Sequence, residues 1–90
     1  MKVIFKKEGQ DILAVFPEEI GNTNVSTCVC YAHIGQHSQC DVFYAKDLKA
    51  ASQAEYADLL AELESIGYDD FTIAKRFNQS DFEKRKECLI

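Results

Sequence analysis

The 90-residue sequence has no tryptophan, one proline and four glycines. So little proline and glycine excludes a collagen-like chain, and a hydrophobic content of 47% excludes a disordered one. No apolar run approaches the roughly 20 residues that a membrane-spanning helix needs. The start of the sequence returns to charge at Lys6 after three apolar residues, which is too early for the apolar core of a signal peptide. We therefore expect one globular domain over residues 1–90 and a cytoplasmic location.

Positive charge is also scarce, with 10 Lys and Arg residues against 15 Asp and Glu residues and a net charge of −5. A broad phosphate-binding surface needs a concentrated excess of Lys and Arg, so the composition predicts no nucleic-acid partner. The charge is uneven, because residues 46–70 are acidic and residues 71–90 are mildly basic. Such a distribution is most often a solvated face, and attraction to a basic partner or to a second copy of the chain is the alternative.

The first part of the chain predicts a hairpin. Two extended apolar runs lie on either side of Gly9, which tolerates the positive φ of a tight turn. The predicted pairing places Phe5 opposite Ile12 and gives the hairpin one apolar face. Pro17 is predicted to end the second strand, and the polar residues 18–24 are predicted to form a loop.

The middle of the chain predicts a second hairpin. Residues 25–33 and 40–45 are rich in β-branched and aromatic side chains, and a break lies at 34–36. A long helix is then predicted over 53–66. It begins at the capping box of Ser52 and Glu55, continues with apolar residues at helical spacing, and ends at Gly67.

The last part of the chain predicts one more strand and one more helix. Alternation over 71–77 predicts a half-buried strand with Phe71, Ile73 and Phe77 on one side. The capping-box spacing from Ser80 predicts a final short helix. The predicted order is β-β-β-β-α-β-α, which is typical of an α+β fold with a mainly antiparallel sheet of two hairpins plus a further strand, and with helices on one face.

Three of the four cysteines and both histidines lie within one stretch of 13 residues. Thiolate and imidazole are the ligands that zinc prefers, so this stretch is the candidate metal site. Only the spacing between the two histidines matches the pairs usual in structural zinc sites. The candidate ligands are Cys28, Cys30, His33, His37 and Cys40.

The register of the second hairpin decides whether these ligands converge. A three-residue loop at 34–36 places His33 opposite His37 and sends the three cysteines to one face and both histidines to the other. A two-residue loop at 35–36 places Cys40 and His33 on the face opposite the other two cysteines. Neither register collects four ligands, so we predict core cysteines and no metal, with a zinc-stabilised domain as the alternative.

Nucleophilic catalysis by a cysteine activated by His33 or His37 is a second alternative, that of a Cys/His-dependent hydrolase. No recognised local signature joins these residues, and so short a chain leaves little room for a substrate cleft. We therefore expect no enzymatic activity and no cofactor.

Two stretches carry a resemblance to a known family. CYAHIGQHS-x-C at 30–40 and EYADLLAELESIGY at 55–68 resemble a family of small uncharacterised proteins of anaerobic gut bacteria and their mobile elements. This resemblance covers most of the chain and implies no activity.

The stretch ILAVFPE at 12–18 is similar to the opening hairpin of HicB-type antitoxins, which neutralise a small ribonuclease toxin with a compact α+β body. The chain departs from those proteins in its Cys/His hairpin and lacks a recognisable C-terminal DNA-binding element. The likeness therefore implies only a shared body plan. Taken together, the sequence predicts a small intracellular, non-enzymatic protein-interaction or regulatory module. If a strand edge is left free, a homodimer is expected.

Overall fold

The computed structural model describes residues 1–32 and 36–89. The chain has the α+β fold that the sequence predicts, with six strands and three helices among the described residues. In chain order these are β1 Lys2–Glu8, β2 Asp11–Ile20, β3 Thr27–Ala32, β4 Gln36–Asp41, α1 Val42–Asp47, β5 Lys49–Ala50, α2 Gln53–Ser65, β6 Thr72–Ala74 and α3 Gln79–Glu87. None of these helices is long and apolar enough to cross a membrane.

The sheet has the strand order β4-β3-β2-β1-β5, and its first four strands form an antiparallel meander. The far side of β1 is shared, because β5 pairs antiparallel with its C-terminal half and β6 pairs parallel with its N-terminal half. The predicted element order is confirmed, with the short elements α1 and β5 added between β4 and α2.

The first hairpin has the predicted faces but not the predicted register. Phe5 pairs with Ala14, so the prediction that it lies opposite Ile12 is wrong by two residues. The turn consists of Gly9 and Gln10, and Gly9 has a φ of 62°, a conformation that favours glycine. Because side chains alternate with a period of two, the shift leaves the apolar residues on the predicted face.

Pro17 does not end β2, and the predicted loop at 18–24 is partly strand, because β2 continues to Ile20. Its pairing with β3 shifts between Phe16 and Ile20. Proline has no N–H to give to the ladder, and such an irregularity in an antiparallel pair is where proline is tolerated. The Pro17 side chain is fully buried, and its carbonyl accepts a hydrogen bond from Arg85 Nη1 at 2.5 Å.

The predicted strand at 40–45 is wrong beyond its second residue, because α1 begins at Val42. Asp41 caps this helix, and its Oδ1 accepts hydrogen bonds from the backbone N–H groups of Phe43 at 2.8 Å and Tyr44 at 3.3 Å. An aspartate at this position satisfies N–H groups that would otherwise lack a partner, which outweighs the β propensity of the residues that follow.

The predicted strand at 71–77 is reduced to β6, and its three apolar residues do not share one side. Phe71 packs against one sheet face, Phe77 packs against the other, and Ile73 is 43% exposed. The final helix begins earlier than predicted, because its capping box is formed by Asn78 and Asp81 and not by Ser80 and Glu83.

Helices cover both faces of the sheet, not one face as predicted. The α2 side chains Leu59 and Leu63 pack on one face, and the α1 side chains Val42 and Ala45 pack on the other. The buried strand residues of the α2 face are Val3, Phe5, Ala14, Phe16 and Tyr31, and those of the α1 face are Ile4, Leu13, Val15, Cys28 and Cys30. The chain thus has two apolar layers separated by the sheet.

Candidate functional site

The β3–β4 hairpin carries the candidate cysteines and has a register that differs from both predictions. Cys28 pairs with Cys40, Cys30 with Ser38, and Tyr31 with His37. This register is shifted by two residues from the one predicted with a loop at 34–36, and an even shift preserves the faces. The three cysteines therefore share one face, as that alternative predicted, and His37 lies on the other. The predictions for His33 fall outside the described residues.

The three cysteines form a cluster of free thiols on the α1 face, and we call Cys28, Cys30 and Cys40 the thiol cluster. The Sγ atoms of Cys28 and Cys40 are 3.6 Å apart, and Cys30 Sγ lies 3.1 Å from Ser38 Oγ. Cys28 is 0% and Cys30 2% exposed, whereas Cys40 is half-buried. The cluster therefore packs into the core while one of its members reaches the surface.

The environment of Cys30 and Cys40 favours the protonated form of their thiols. The hydrogen bond with Cys28, together with burial, raises the pKa of Cys40 to about 12. The pKa of Cys30 is also raised, first by its hydrogen bond with Cys40 and then by burial. Because a thiolate is the nucleophile and the metal ligand, neither sulfur is activated at neutral pH.

His37 is directed away from the thiol cluster by the alternation of β4. Its Nε2 lies 2.8 Å from the Tyr68 hydroxyl, and its ring packs edge-on against Tyr31 at a centroid distance of 4.7 Å. An imidazole on the α2 face does not serve as a base for thiols on the α1 face. Among the described residues, no group of three or more His, Cys, Asp or Glu side chains has an arrangement that could hold a metal ion. The described residues of this hairpin therefore give no support to a zinc site or to cysteine hydrolysis assisted by His37.

The other notable feature of the hairpin is the outer edge of β4. Within the described ranges, β4 pairs with β3 on one side and with no strand on the other. Its side chains His37, Ser38 and Gln39 are exposed. An unpaired edge presents a row of backbone N–H and C=O groups, and natural proteins usually block it with lysine, proline or a bulge. The six residues of β4 contain neither lysine nor proline, and Asp41 at the end is their one charged residue.

Two exposed aromatic side chains follow this edge directly in the chain. Phe43 is 66% exposed and Tyr44 is 50% exposed, both on α1. Sequence reasoning missed them because it assigned them to a strand interior. The signal that predicts them is Asp41, a strong N-cap residue, followed by the apolar residues Val42 and Ala45 at helical spacing.

A shallow groove of about 320 Å³ lies on the α1 face beside this segment. The half-buried sulfur of Cys40 lines it, together with Cys30, and Tyr44 borders it with its hydroxyl bonded to Glu8 Oε2 at 2.5 Å. The groove is too open to enclose a small molecule, but it gives solvent access to the thiol cluster.

Comparison with protein-family models, with curated proteins and with solved structures finds no match to this chain.

Proposed function

We propose that this protein is an intracellular, cytoplasmic and non-enzymatic interaction module that binds its partner by strand addition at the outer edge of β4. The observation that carries this proposal is an edge of six residues, exposed at residues 37–39 and 41, with neither lysine nor proline to block pairing. Main-chain hydrogen bonds supply the affinity in this mode of recognition, and the side chains set the partner and the register.

The partner that fits this edge is a second copy of the chain. Two copies of β4 can pair antiparallel about a twofold axis perpendicular to the sheet, which extends the five-strand path of each copy into one continuous sheet. Such an axis keeps each side chain on the same face of the sheet in both copies. An odd-numbered residue therefore pairs only with an odd-numbered one, and an even-numbered residue only with an even-numbered one.

A register centred on Gln39 satisfies this condition and uses nearly the whole strand. It pairs residues 37–41 of one copy with 41–37 of the other, so that His37 lies opposite Asp41 of the second copy. Opposite-charge and polar pairs across an antiparallel ladder are favourable, whereas like charges directly opposite each other are not. The edge is therefore complementary to itself, and the exposed Phe43 and Tyr44 next to it offer further apolar surface.

The test places a positive charge at Gln39 in one variant and a negative charge in another. Sedimentation velocity over a range of protein concentrations measures how strongly each variant dimerises. Because Gln39 lies on the twofold axis, Gln39→Lys and Gln39→Glu each place like charges opposite each other, and each is expected to weaken dimerisation about fivefold or more. An equimolar mixture of the two variants is expected to recover association as a heterodimer.

Gln10→Lys and Gln10→Glu are the matched controls, because Gln10 is exposed in the β1–β2 turn and far in the sheet order from the outer edge of β4. They are expected to dimerise as the unmodified protein does. A chain that stays monomeric at all concentrations overturns the homodimer. A dimer of either Gln39 variant that is as stable as the dimer of the unmodified protein overturns the β4 edge as its interface.

A further inference from the structure

The thiol cluster contains a pair of cysteines arranged for a covalent bond. Cys28 and Cys40 lie directly opposite each other in an antiparallel ladder, where Cα atoms are about 4.5–5.5 Å apart. This spacing lies within the range that a disulfide spans. Their sulfur atoms are already 3.6 Å apart, so rotation of the side chains is sufficient to bring them to bonding distance.

We propose that Cys28 and Cys40 are a redox-active dithiol that forms a reversible intramolecular disulfide, with a small-molecule disulfide such as oxidised glutathione as the oxidant.

Exposure assigns different roles to the two sulfurs. Cys40 is half-buried and lines the groove of about 320 Å³, so an oxidant from solvent reaches this sulfur first. Cys28 is 0% exposed and meets no reagent from outside. Cys40 is therefore the attacking thiol and Cys28 the resolving thiol.

The chemistry is two successive thiol–disulfide exchanges. Cys40 loses its proton to solvent, and the small thiolate fraction that its raised pKa leaves attacks one sulfur of the glutathione disulfide slowly, which forms a mixed disulfide and releases one glutathione thiolate. Cys28 then loses its proton and attacks the Cys40 sulfur, which forms the Cys28–Cys40 bond and releases the second glutathione thiolate. The protein loses two electrons and two protons, and one glutathione disulfide becomes two glutathione molecules.

Cys30 is the internal competitor, and the register disfavours it. Its thiol hydrogen-bonds with Cys40 as well as contacting the Ser38 hydroxyl, but in the ladder it pairs with Ser38 and so lies diagonal to Cys40. Diagonal neighbours across a ladder are about 7–8 Å apart, beyond the usual span of a disulfide. Both buried thiols contact Cys40, and it is the ladder register that favours Cys28 over Cys30 as its disulfide partner.

The experiment equilibrates the protein in glutathione buffers of increasing oxidised fraction at pH 8, then blocks free thiols and maps the disulfides by mass spectrometry. Trypsin does not separate the two cysteines, because no Lys or Arg lies between them, whereas chymotrypsin cuts at Tyr31. The expected product is one disulfide that joins the peptide ending at Tyr31, which holds both Cys28 and Cys30, to the Cys40 peptide, and fragmentation of the linked peptide should place the thiol-blocking group on Cys30. The intact mass before blocking should be that of one chain less two hydrogens. Reduction with dithiothreitol is expected to reverse it.

Variants in a Cys88→Ser background remove the exposed thiol, which otherwise forms mixed disulfides of its own. Cys28→Ala and Cys40→Ser are expected to abolish the intramolecular bond, and the matched control Cys30→Ser is expected to keep it. The oxidised chain is expected to melt about 10–20 °C above the reduced chain, because the bond closes a loop of about a dozen residues in the unfolded state.

Three outcomes overturn the proposal: thiols that remain reduced at every buffer composition, a Cys30–Cys40 bond in place of Cys28–Cys40, or a bond between two chains. Mapping of the unmodified protein decides among these outcomes even where a variant fails to fold. The proposal is independent of the β4 dimer, because the expected bond lies within one chain.

Discussion

Arg85 and Asp81 carry charges into the core at the point where α3 meets the sheet. Arg85 is 4% and Asp81 1% exposed. The guanidinium donates to the Pro17 carbonyl at 2.5 Å and the Val25 carbonyl at 2.8 Å, and the carboxylate accepts from Lys2 Nζ at 2.7 and 3.0 Å. Buried charges are tolerated only when they are paired in this way, so these contacts fix the position of α3 on β1 and β2.

Replacement of Arg85 by Met is expected to lower the free energy of unfolding by about 2–4 kcal/mol, because it removes two charge-assisted hydrogen bonds and leaves the buried Pro17 carbonyl and the part-buried Val25 carbonyl without these donors. Urea denaturation measures the change. Lys86→Met is the matched control, since Lys86 is exposed on the same helix and its loss is expected to cost less than about 0.5 kcal/mol. Equal effects of the two substitutions contradict the role given to Arg85.

Alkylation rates are expected to separate the four cysteines. Iodoacetamide at pH 7 should modify the exposed Cys88 first, and Cys40 far more slowly, because the pKa of Cys40 is raised to about 12 and little thiolate is present. Cys28 and Cys30 are protected further by burial. Time-resolved peptide mapping measures the four rates, and the same reaction in concentrated urea, where all four should react at similar rates, is the control. Fastest labelling of Cys40 in the folded protein would show an activated thiol and revive the hydrolase hypothesis.

At the scale of elements, both hairpins show what alternation can and cannot predict. The apolar pattern of Phe5, Ala14 and Phe16 identifies the buried face, and the spacing of Cys28, Cys30 and Cys40 identifies their common face. Neither pattern determines where the turn lies, because a shift of two residues keeps every side chain on its face. The register depends on the backbone of the turn, as at Gly9 with its positive φ, and a face pattern carries no information about that.

Helix boundaries are predictable where a cap and the apolar spacing agree. At α2 the capping box of Ser52 and Glu55 is present as predicted, and the helix spans Gln53–Ser65. At α1 the aromatic residues suggested a strand, and only the side chain of Asp41 decides in favour of a helix. At α3 two overlapping boxes compete, and the one that begins at Asn78 prevails because it places Asp81 next to Lys2 in the tertiary structure.

The N-terminus of α2 is expected to weaken at low pH. The pKa of Glu55 is lowered to about 2, first by its contact with Lys7 and then by the backbone N–H of Ser52, from an ordinary value of 4.5. A carboxylate whose pKa is lowered by folding stabilises the fold above pH 4.5, and this stabilisation is lost as the pH falls through about 2.

Urea midpoints of the unmodified protein and of Glu55→Gln, measured from pH 6 down to about pH 2, test this expectation. The glutamine keeps an acceptor for Ser52 but carries no charge. The difference between the two midpoints should be constant near neutral pH and shrink as the pH approaches 2. A difference that does not change with pH contradicts the assigned cause, and NMR titration of the Glu55 carboxyl reports its pKa directly.

At the scale of the whole molecule, β1 joins the two ends of the chain. It pairs with β2 next to it in sequence and also with β6, which lies some 70 residues away, and Lys2 at its start binds Asp81 of α3. The first strand therefore acquires its full set of partners only when the last elements are in place. Contacts of such long sequence separation predict a slow and cooperative folding transition.

The net charge of −5 acts on any pairing of two copies. Each copy repels the other, and added salt screens this repulsion. The proposed β4 edge contributes one acidic side chain, Asp41, and its contact with His37 of the second copy is solvent-exposed and contributes little to the stability of the dimer.

We therefore expect the dimer dissociation constant to fall several-fold when NaCl is raised from about 20 mM to about 300 mM. Sedimentation velocity measures the constant, and the mixture of Gln39→Lys with Gln39→Glu is the control, since its heterodimer contains an opposite-charge pair and should gain less from salt. A dimer of the unmodified protein that weakens as salt rises would mean that charge pairs hold the copies together more strongly than the solvent-exposed His37–Asp41 contacts of the β4 edge allow.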